Sequence, residues 1–210
     1  MNRRATERAA NPYSCPGYMS LVRLVSHWQQ ANEIARVLPR GGDVLEVGVG
    51  SGHTSWLLSK WGYDVTTVDL DPCLEPTVVG DVTLLPFGAG CFDLVLAAQI
   101  LEHIPFADFP RAVSELRRVA RKYVIITVPA PLVGISLLVN VPGPGPGGFH
   151  LGFPYWRTRR SRGEHYWELG KRGYSKRRVR QAISGQGLKI VRELRPPLSL
   201  FSYFFVAHVV

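Results

Sequence analysis

Cysteine is scarce in this sequence. Cys15, Cys73 and Cys91 are odd in number and widely spaced, which argues against a disulfide framework and fits a reduced, cytoplasmic protein. The spacings of histidine, cysteine and carboxylate residues carry no metal-site signature, so no metal is expected. Long apolar runs are missing too. The best, Pro131 to Val141, has 11 residues, whereas a membrane-spanning helix needs about 20. Met1 to Ala10 holds Arg3, Arg4 and Arg8 with no apolar stretch behind them, unlike a signal peptide. There is no internal repeat.

What is present suits one globular domain. The chain has 210 residues, 46% hydrophobic and 20% charged, enough apolar surface to bury a core and exclude disorder over most of its length. The net charge of +9 sits in one place. Residues 157–195 hold 13 Lys and Arg against Glu164, Glu168 and Glu193, and the rest of the chain is close to neutral. Such a segment meets nucleic acid, an anionic membrane surface or an acidic substrate, or is simply a solvated basic face.

Residues 1–17 lack periodicity and read as a loose tail ahead of a single domain over 18–210. From Tyr18 to Leu38, apolar residues from Leu21 to Leu38 recur at helical spacing, and Pro39 with Gly41-Gly42 stops the helix. Strand and helix then alternate. Strands are expected at Val44–Val47, Asp64–Val68, weakly at Thr77–Val79, at Phe92–Ala98 and at Tyr123–Val128; helices at Thr54–Trp61 and Phe109–Ala120. This alternation implies right-handed crossovers and a parallel sheet. Residues 130–172 break the pattern with a Pro-Gly tract, aromatics and Arg157, Arg159, Arg160 and Arg162. They read as a lid-like insertion. A helix at Ser175–Ser184, ended by Gly187, and strands at Leu188–Leu194 and Ser202–Val209 close the chain.

The most informative stretch runs from Val44 to Gly52. A strand leads into Glu46 and then into Gly48, Gly50 and Gly52 at a helix start. Glycine lets the backbone turn sharply and approach a ligand, and a helix start adds free N–H donors. A dinucleotide fingerprint would need a third glycine at position 53, which is His53. The spacing is E-x-G-x-G-x-G.

That spacing resembles the first motif of class I S-adenosylmethionine (SAM)-dependent methyltransferases, and further segments follow in the family's order. Val65 to Asp69 is similar to its second strand, Gly80-Asp81-Val82 with Leu85-Pro86-Phe87 to its adenine turn, Phe92 to Ile104 to its fourth-strand motif, and Val124 to Pro129 to its fifth strand. The resemblance implies an α/β, Rossmann-like three-layer sandwich: a seven-stranded, mainly parallel sheet with an antiparallel last strand. It implies SAM as cofactor, held by Glu46, Gly48, Gly50, Gly52, Asp69, Leu70, Asp81 and Val82, with Gln99 near the methionine end. In the family the carboxylate at position 69 takes both ribose hydroxyls; Asp81 would accept from the adenine amine and Val82 would supply a backbone N–H. More narrowly, Glu164 to Gly170 with Gly173-Tyr174-Ser175 resembles uncharacterised methyltransferases associated with glycan or small-molecule modification.

The implied activity is methyl transfer to a small-molecule or glycan-type acceptor, anionic if the basic segment receives it. A nucleic-acid acceptor, or a non-catalytic SAM-binding or interaction domain, is the alternative. A base is needed only if the acceptor loses a proton during attack. His103, after the fourth strand, and His165, beside Tyr166 and Trp167, are the candidates, each with a bracing or packing role as the plainer reading; Glu102 and Glu168 come behind them. Tyr13 and Tyr18 either cover the donor's methionine end or pack at the first helix.

Overall fold

The structure, a computed structural model, describes residues 13, 17–141, 145–154, 165–196 and 201–210. Strands that are apolar at nearly every position need cover on both faces. Such strands, β4 and β9 above all, lie in a seven-stranded sheet: β1 (Asp43–Val47), β2 (Asp64–Asp69), β3 (Val78–Val79), β4 (Phe92–Ala98), β5 (Ala120–Pro129), β8 (Leu188–Leu194) and β9 (Ser202–Val209). Their order is β3-β2-β1-β4-β5-β9-β8. β1 to β5 pair in parallel, and β9 runs antiparallel between β5 and β8. This is the Rossmann-like sandwich with a reversed last strand that the motifs imply.

Alternation along the strands fills two cores. Val44, Leu94, Leu96, Ile125, Phe204 and Val206 pack under α1 (Leu21–Val37) and α2 (His53–Lys60). Leu45, Val95, Val124 and Ile126 pack on the other face under α3 (Phe109–Val119) and α4 (Lys176–Ser184). α3 turns a clean stripe inward: Phe109, Ala112, Val113, Leu116 and Val119 are all buried.

Three expectations need adjusting. The apolar stripe of α1 divides. Ala31 and Ile34 are buried, whereas Leu21, Leu24 and Trp28 are about half exposed or more. The first half of α1 faces α2 across a groove rather than the sheet, so helical periodicity alone overstates what it buries. α4 takes its cap from Ser175 and ends at Ser184 as expected, but Gly185 is its C-cap; Gly187, with φ of 75°, turns the chain into β8. Finally, the insertion is not irregular throughout. β6 (Leu132–Val141) and β7 (Gly145–Pro154) form a separate antiparallel pair, with Ile135 opposite Leu151. The alternating Val, Ile and Leu of 132–141 favour a strand, and glycines are accepted opposite them. Residues 1–12 and 14–16 of the tail, Cys15 among them, and the four arginines of 157–162 lie outside the described residues. Among the described residues no helix is long and apolar enough to cross a membrane.

Candidate functional site

The glycine loop leaves the C-terminal end of β1, the edge where ligands bind in open α/β sheets. Gly48 has φ of 84°, and a Cβ there would stand 2.0 Å from Cγ2 of Ile100. Glycine is therefore required twice over, by conformation and by the close approach of the loop after β4. Gly52, with φ of 69°, is the N-cap of α2 and offers no side-chain cap, so the first N–H groups of the helix face the loop.

Asp69 ties this loop to the end of β2. Its Oδ2 accepts from the Val49 amide at 2.9 Å and its Oδ1 from the Asp71 amide at 3.0 Å. Each carboxylate oxygen has a second lone pair, so this tether and a ligand hydroxyl can share the residue. Leu70 beside it is 71% exposed, a large apolar side chain on the rim. On the next turn, Asp81 Oδ1 accepts from the Thr83 amide and Val82 is buried. Glu115 and Arg118 of α3 hold that turn in place: Glu115 accepts from the Leu85 amide, and Arg118 donates to the carbonyls of Leu85 and Phe87.

Glu46 is 3% exposed, and its Oε2 has no hydrogen-bond partner. Burial pushes its carboxyl up to about 8; Ser55 pulls it back only in part, and the Asp69 charge raises it further. A buried oxygen without a donor is a vacancy for one. Gln99, after β4, sits at φ of 56°, a sparsely populated conformation for a residue with a side chain. Its amide donates to the Thr127 carbonyl at 3.0 Å and its side chain reaches the Thr127 hydroxyl at 3.3 Å.

Sequence reading passed over His27. Thr54 donates its hydroxyl proton to Gln30 at 2.7 Å, so His27 Nδ1, 2.8 Å from that oxygen, must be the donor between them. Nε2 then accepts from the Ser51 hydroxyl at 3.4 Å. Burial, with His53 and Arg23 adding to it, lowers the His27 imidazole to about 4, so it stays neutral. The chain of bonds braces the glycine loop from α1. A histidine inside an amphipathic repeat gives no sign of this. Tyr13 and Tyr18 meet edge to face at 5.0 Å, with Arg23 over the Tyr18 ring, which supports the packing reading at the first helix. The apolar groove between α1 and α2, about 370 Å³, holds none of the predicted site residues.

The two candidate bases, 62 positions apart, come together. His103 lies in the short turn after β4, and its ring meets that of His165 edge to face at 4.9 Å. Trp167 is the reason. It is 2% exposed, packs on Phe106 and Phe109, and donates its indole N–H to the Leu101 carbonyl at 3.0 Å. The Tyr166 amide donates to the Glu102 carbonyl at 2.8 Å. His165 Nδ1 donates to Glu168 Oε1 at 3.2 Å, and Lys171 holds the other oxygen of Glu168 at 2.7 Å. Glu102 is fully buried, neither of its carboxylate oxygens has a hydrogen-bond partner, and burial pushes its carboxyl up to about 8. One ligand atom each from Glu102, His103 and His165 lies within 4.8 Å of the others, the set among the described residues that could hold a metal ion. Spacing in the sequence gave no signal for it.

Comparison with known proteins agrees with this geometry. Residues 45–127 match the family model described as a methyltransferase domain. The ubiquinone biosynthesis O-methyltransferase of Xanthomonas axonopodis pv. citri (strain 306) is 36% identical over 86 residues, 34% of this chain; the chain spans about a third (36%) of the length of that curated relative. Among solved structures, the PH0226 protein of Pyrococcus horikoshii OT3 superposes with a TM-score of 0.63 at 16% identity, over 94% of this chain and 98% of that one. Magnesium protoporphyrin IX methyltransferase of Synechocystis PCC 6803, with bound S-adenosylhomocysteine, gives 0.62 at 15% identity, over 90% and 85%. Over residues 45–127 the chain is thus similar to a methyltransferase domain, and it shares its fold with these solved structures.

Proposed function

We propose that this protein transfers a methyl group from SAM to a hydroxyl of a small-molecule or glycan-type acceptor. The residues around the glycine loop fit the donor. Glu46, buried with a partnerless oxygen, suits the donor's ammonium group. Gly48, Gly50 and Gly52 leave room for backbone approach, and the open start of α2 suits an anionic carboxylate. Asp69 has acceptor capacity left for the ribose hydroxyls. Asp81 and the Val82 amide would take the adenine edge, with Leu70 over its face and Gln99 towards the methionine end. SAM supplies an electrophilic methyl group on a sulfonium; the chain's part is to align donor and acceptor and to manage the acceptor's proton.

The observation that carries this reading is the junction of His103 with His165. It lies just after β4, beside the end of the cofactor loop, and Glu168 and Lys171 fix the orientation of one ring. One imidazole suffices to take up the proton of an ionising acceptor hydroxyl, and its neighbour can orient it. A relative named as an O-methyltransferase supports oxygen as the methylated atom. The basic segment at 157–195 favours an anionic acceptor over a neutral one. An RNA acceptor would use the same charge, with binding that weakens steeply with salt.

The test is methyl transfer from labelled SAM to a metabolite and glycan pool. The protein should release S-adenosylhomocysteine only when an acceptor is present. His103→Ala and His165→Ala should each lower kcat by about 10²- to 10⁴-fold, the usual worth of proton management, with SAM affinity unchanged. Turnover that survives both substitutions would refute the assignment.

A further inference from the structure

Glu102 is difficult to explain as a structural residue. It is fully buried, yet neither carboxylate oxygen has a hydrogen-bond partner. Taking up a proton would remove its charge but would still leave the carboxyl without a partner at hydrogen-bond distance, and buried polar groups are rarely left so. Its neighbour of the same sign, Glu168, is already held by Lys171 and His165. What lies within reach of the Glu102 carboxylate is nitrogen: one imidazole atom of His103 and one of His165, all three ligand atoms within 4.8 Å.

We propose that Glu102, His103 and His165 bind a divalent first-row transition cation, and that this cation receives the acceptor's hydroxyl. The proposal rests on the methyltransferase reading above and specifies how the two histidines serve it. Two imidazoles and one carboxylate suit zinc, iron, cobalt or nickel and are poor for magnesium or calcium, which prefer oxygen. Three protein ligands leave coordination positions open, the mark of a site that also takes substrate. Bond lengths of about 2.0–2.2 Å require the ligand atoms to draw in from their present separations.

The shell behind the ligands is already in place. A metal-bound histidine usually gives its other ring N–H to a carboxylate, and His165 Nδ1 has Glu168 there, backed by Lys171. Ligation by His165 would then fall to Nε2. The Tyr166 amide on the Glu102 carbonyl and the Trp167 indole on the Leu101 carbonyl fasten the two ligand-bearing segments together. His103 is exposed, so an acceptor can reach the cation from that side.

A bound cation lowers the pKa of a hydroxyl that it coordinates. The hydroxyl proton leaves to water on the exposed side of His103. The oxygen then forms its bond to the methyl carbon as the carbon–sulfur bond breaks, and that electron pair returns to sulfur. Charge balances, since the sulfonium becomes a neutral thioether.

The test uses the full chain, freed of metals by chelation and of any affinity tag, titrated with Co(II) and followed by visible absorption. One Co(II) per chain should bind, with ligand-field bands that Zn(II) displaces and Mg(II) does not. Glu102→Gln keeps shape and removes the charge; it should weaken Co(II) binding at least 10-fold. His103→Asn alters an exposed residue, so its folding is not in question, and it should shift or abolish the bands. Absence of bands in the wild type, or bands unchanged in both variants, would overturn the proposal. Calorimetry with SAM on the same samples separates the two readings. SAM binding without Co(II) binding leaves the methyltransferase reading standing and sinks this one; Co(II) binding without SAM binding keeps the metal site but overturns the methyltransferase reading and, with it, the cation's role towards the acceptor.

Discussion

Asp69 offers the sharpest test of the donor site, because the structure gives it two jobs. Its oxygens accept from the amides of Val49 and Asp71, which pins the glycine loop, and they are also the proposed ribose acceptors. Replacing Asp69 by Ala removes both functions. The Val49 residue is buried, so its amide would be left unsatisfied, at a cost of about 1–3 kcal/mol. For a chain of this length that corresponds to a fall in Tm of roughly 2–12 °C. Asp69→Asn keeps one acceptor oxygen, which can serve the part-buried Val49 amide while the exposed Asp71 amide turns to water, so the buried half of the tether survives while the charge is lost. A charge-assisted hydrogen bond is worth about 1.5–3 kcal/mol, or roughly 10- to 150-fold in affinity. Isothermal calorimetry with S-adenosylhomocysteine, alongside thermal melts, reads the two effects separately. The Asn variant should lose affinity with little change in Tm; the Ala variant should lose both. Full affinity in the Asn variant would show that Asp69 is a structural tether alone.

The remaining predictions concern pH, packing and salt. Glu46 has a folded pKa of about 8 against an unfolded value of 4.5, so its contribution to stability is fully present below 4.5 and is lost as pH rises through 8. Melts from pH 5 to 9 should show this decline for the ligand-free protein, and Glu46→Gln should reduce it, leaving the share of Glu102, whose carboxyl burial also raises to about 8; SAM, which favours the ionised Glu46 carboxylate, should bind more tightly as pH rises towards 8. Gly48→Ala forces a side chain into left-handed backbone, which costs about 1–2 kcal/mol, and drives its Cβ into Ile100. Adding Ile100→Ala should recover the part due to the clash and not the backbone part, and a double-mutant cycle measures that coupling. Replacing Arg157, Arg159, Arg160 and Arg162 by Gln should leave SAM affinity unchanged, raise KM for an anionic acceptor and flatten its salt dependence; a fall in donor affinity instead would put the basic segment at the wrong end of the site.

The order of elements and the residues proposed to bind the donor were legible in the sequence for a physical reason. They depend on local rules: near-continuous apolar runs for doubly covered strands, glycine where the chain must turn under Ile100, an acidic residue where β2 ends. Each rule acts over a few residues, so the strand ends and the glycine turn could be read along the chain, and the resemblance to the family then pointed to Glu46, Gly48, Asp69 and Asp81; the structure gathers Glu46, Gly48 and Asp69 around one strand edge. Three-dimensional packing decided the rest. Periodicity could not say that α1 buries only its second half, because that depends on where the sheet ends beneath it. Nor could spacing bring His165 to His103. Sixty-two residues separate them, and what joins them is Trp167 seated between Phe106 and Phe109 with its N–H on Leu101. The buried, partnerless carboxylate of Glu102 is likewise a property of the assembled fold, since burial and missing partners have no meaning along a chain.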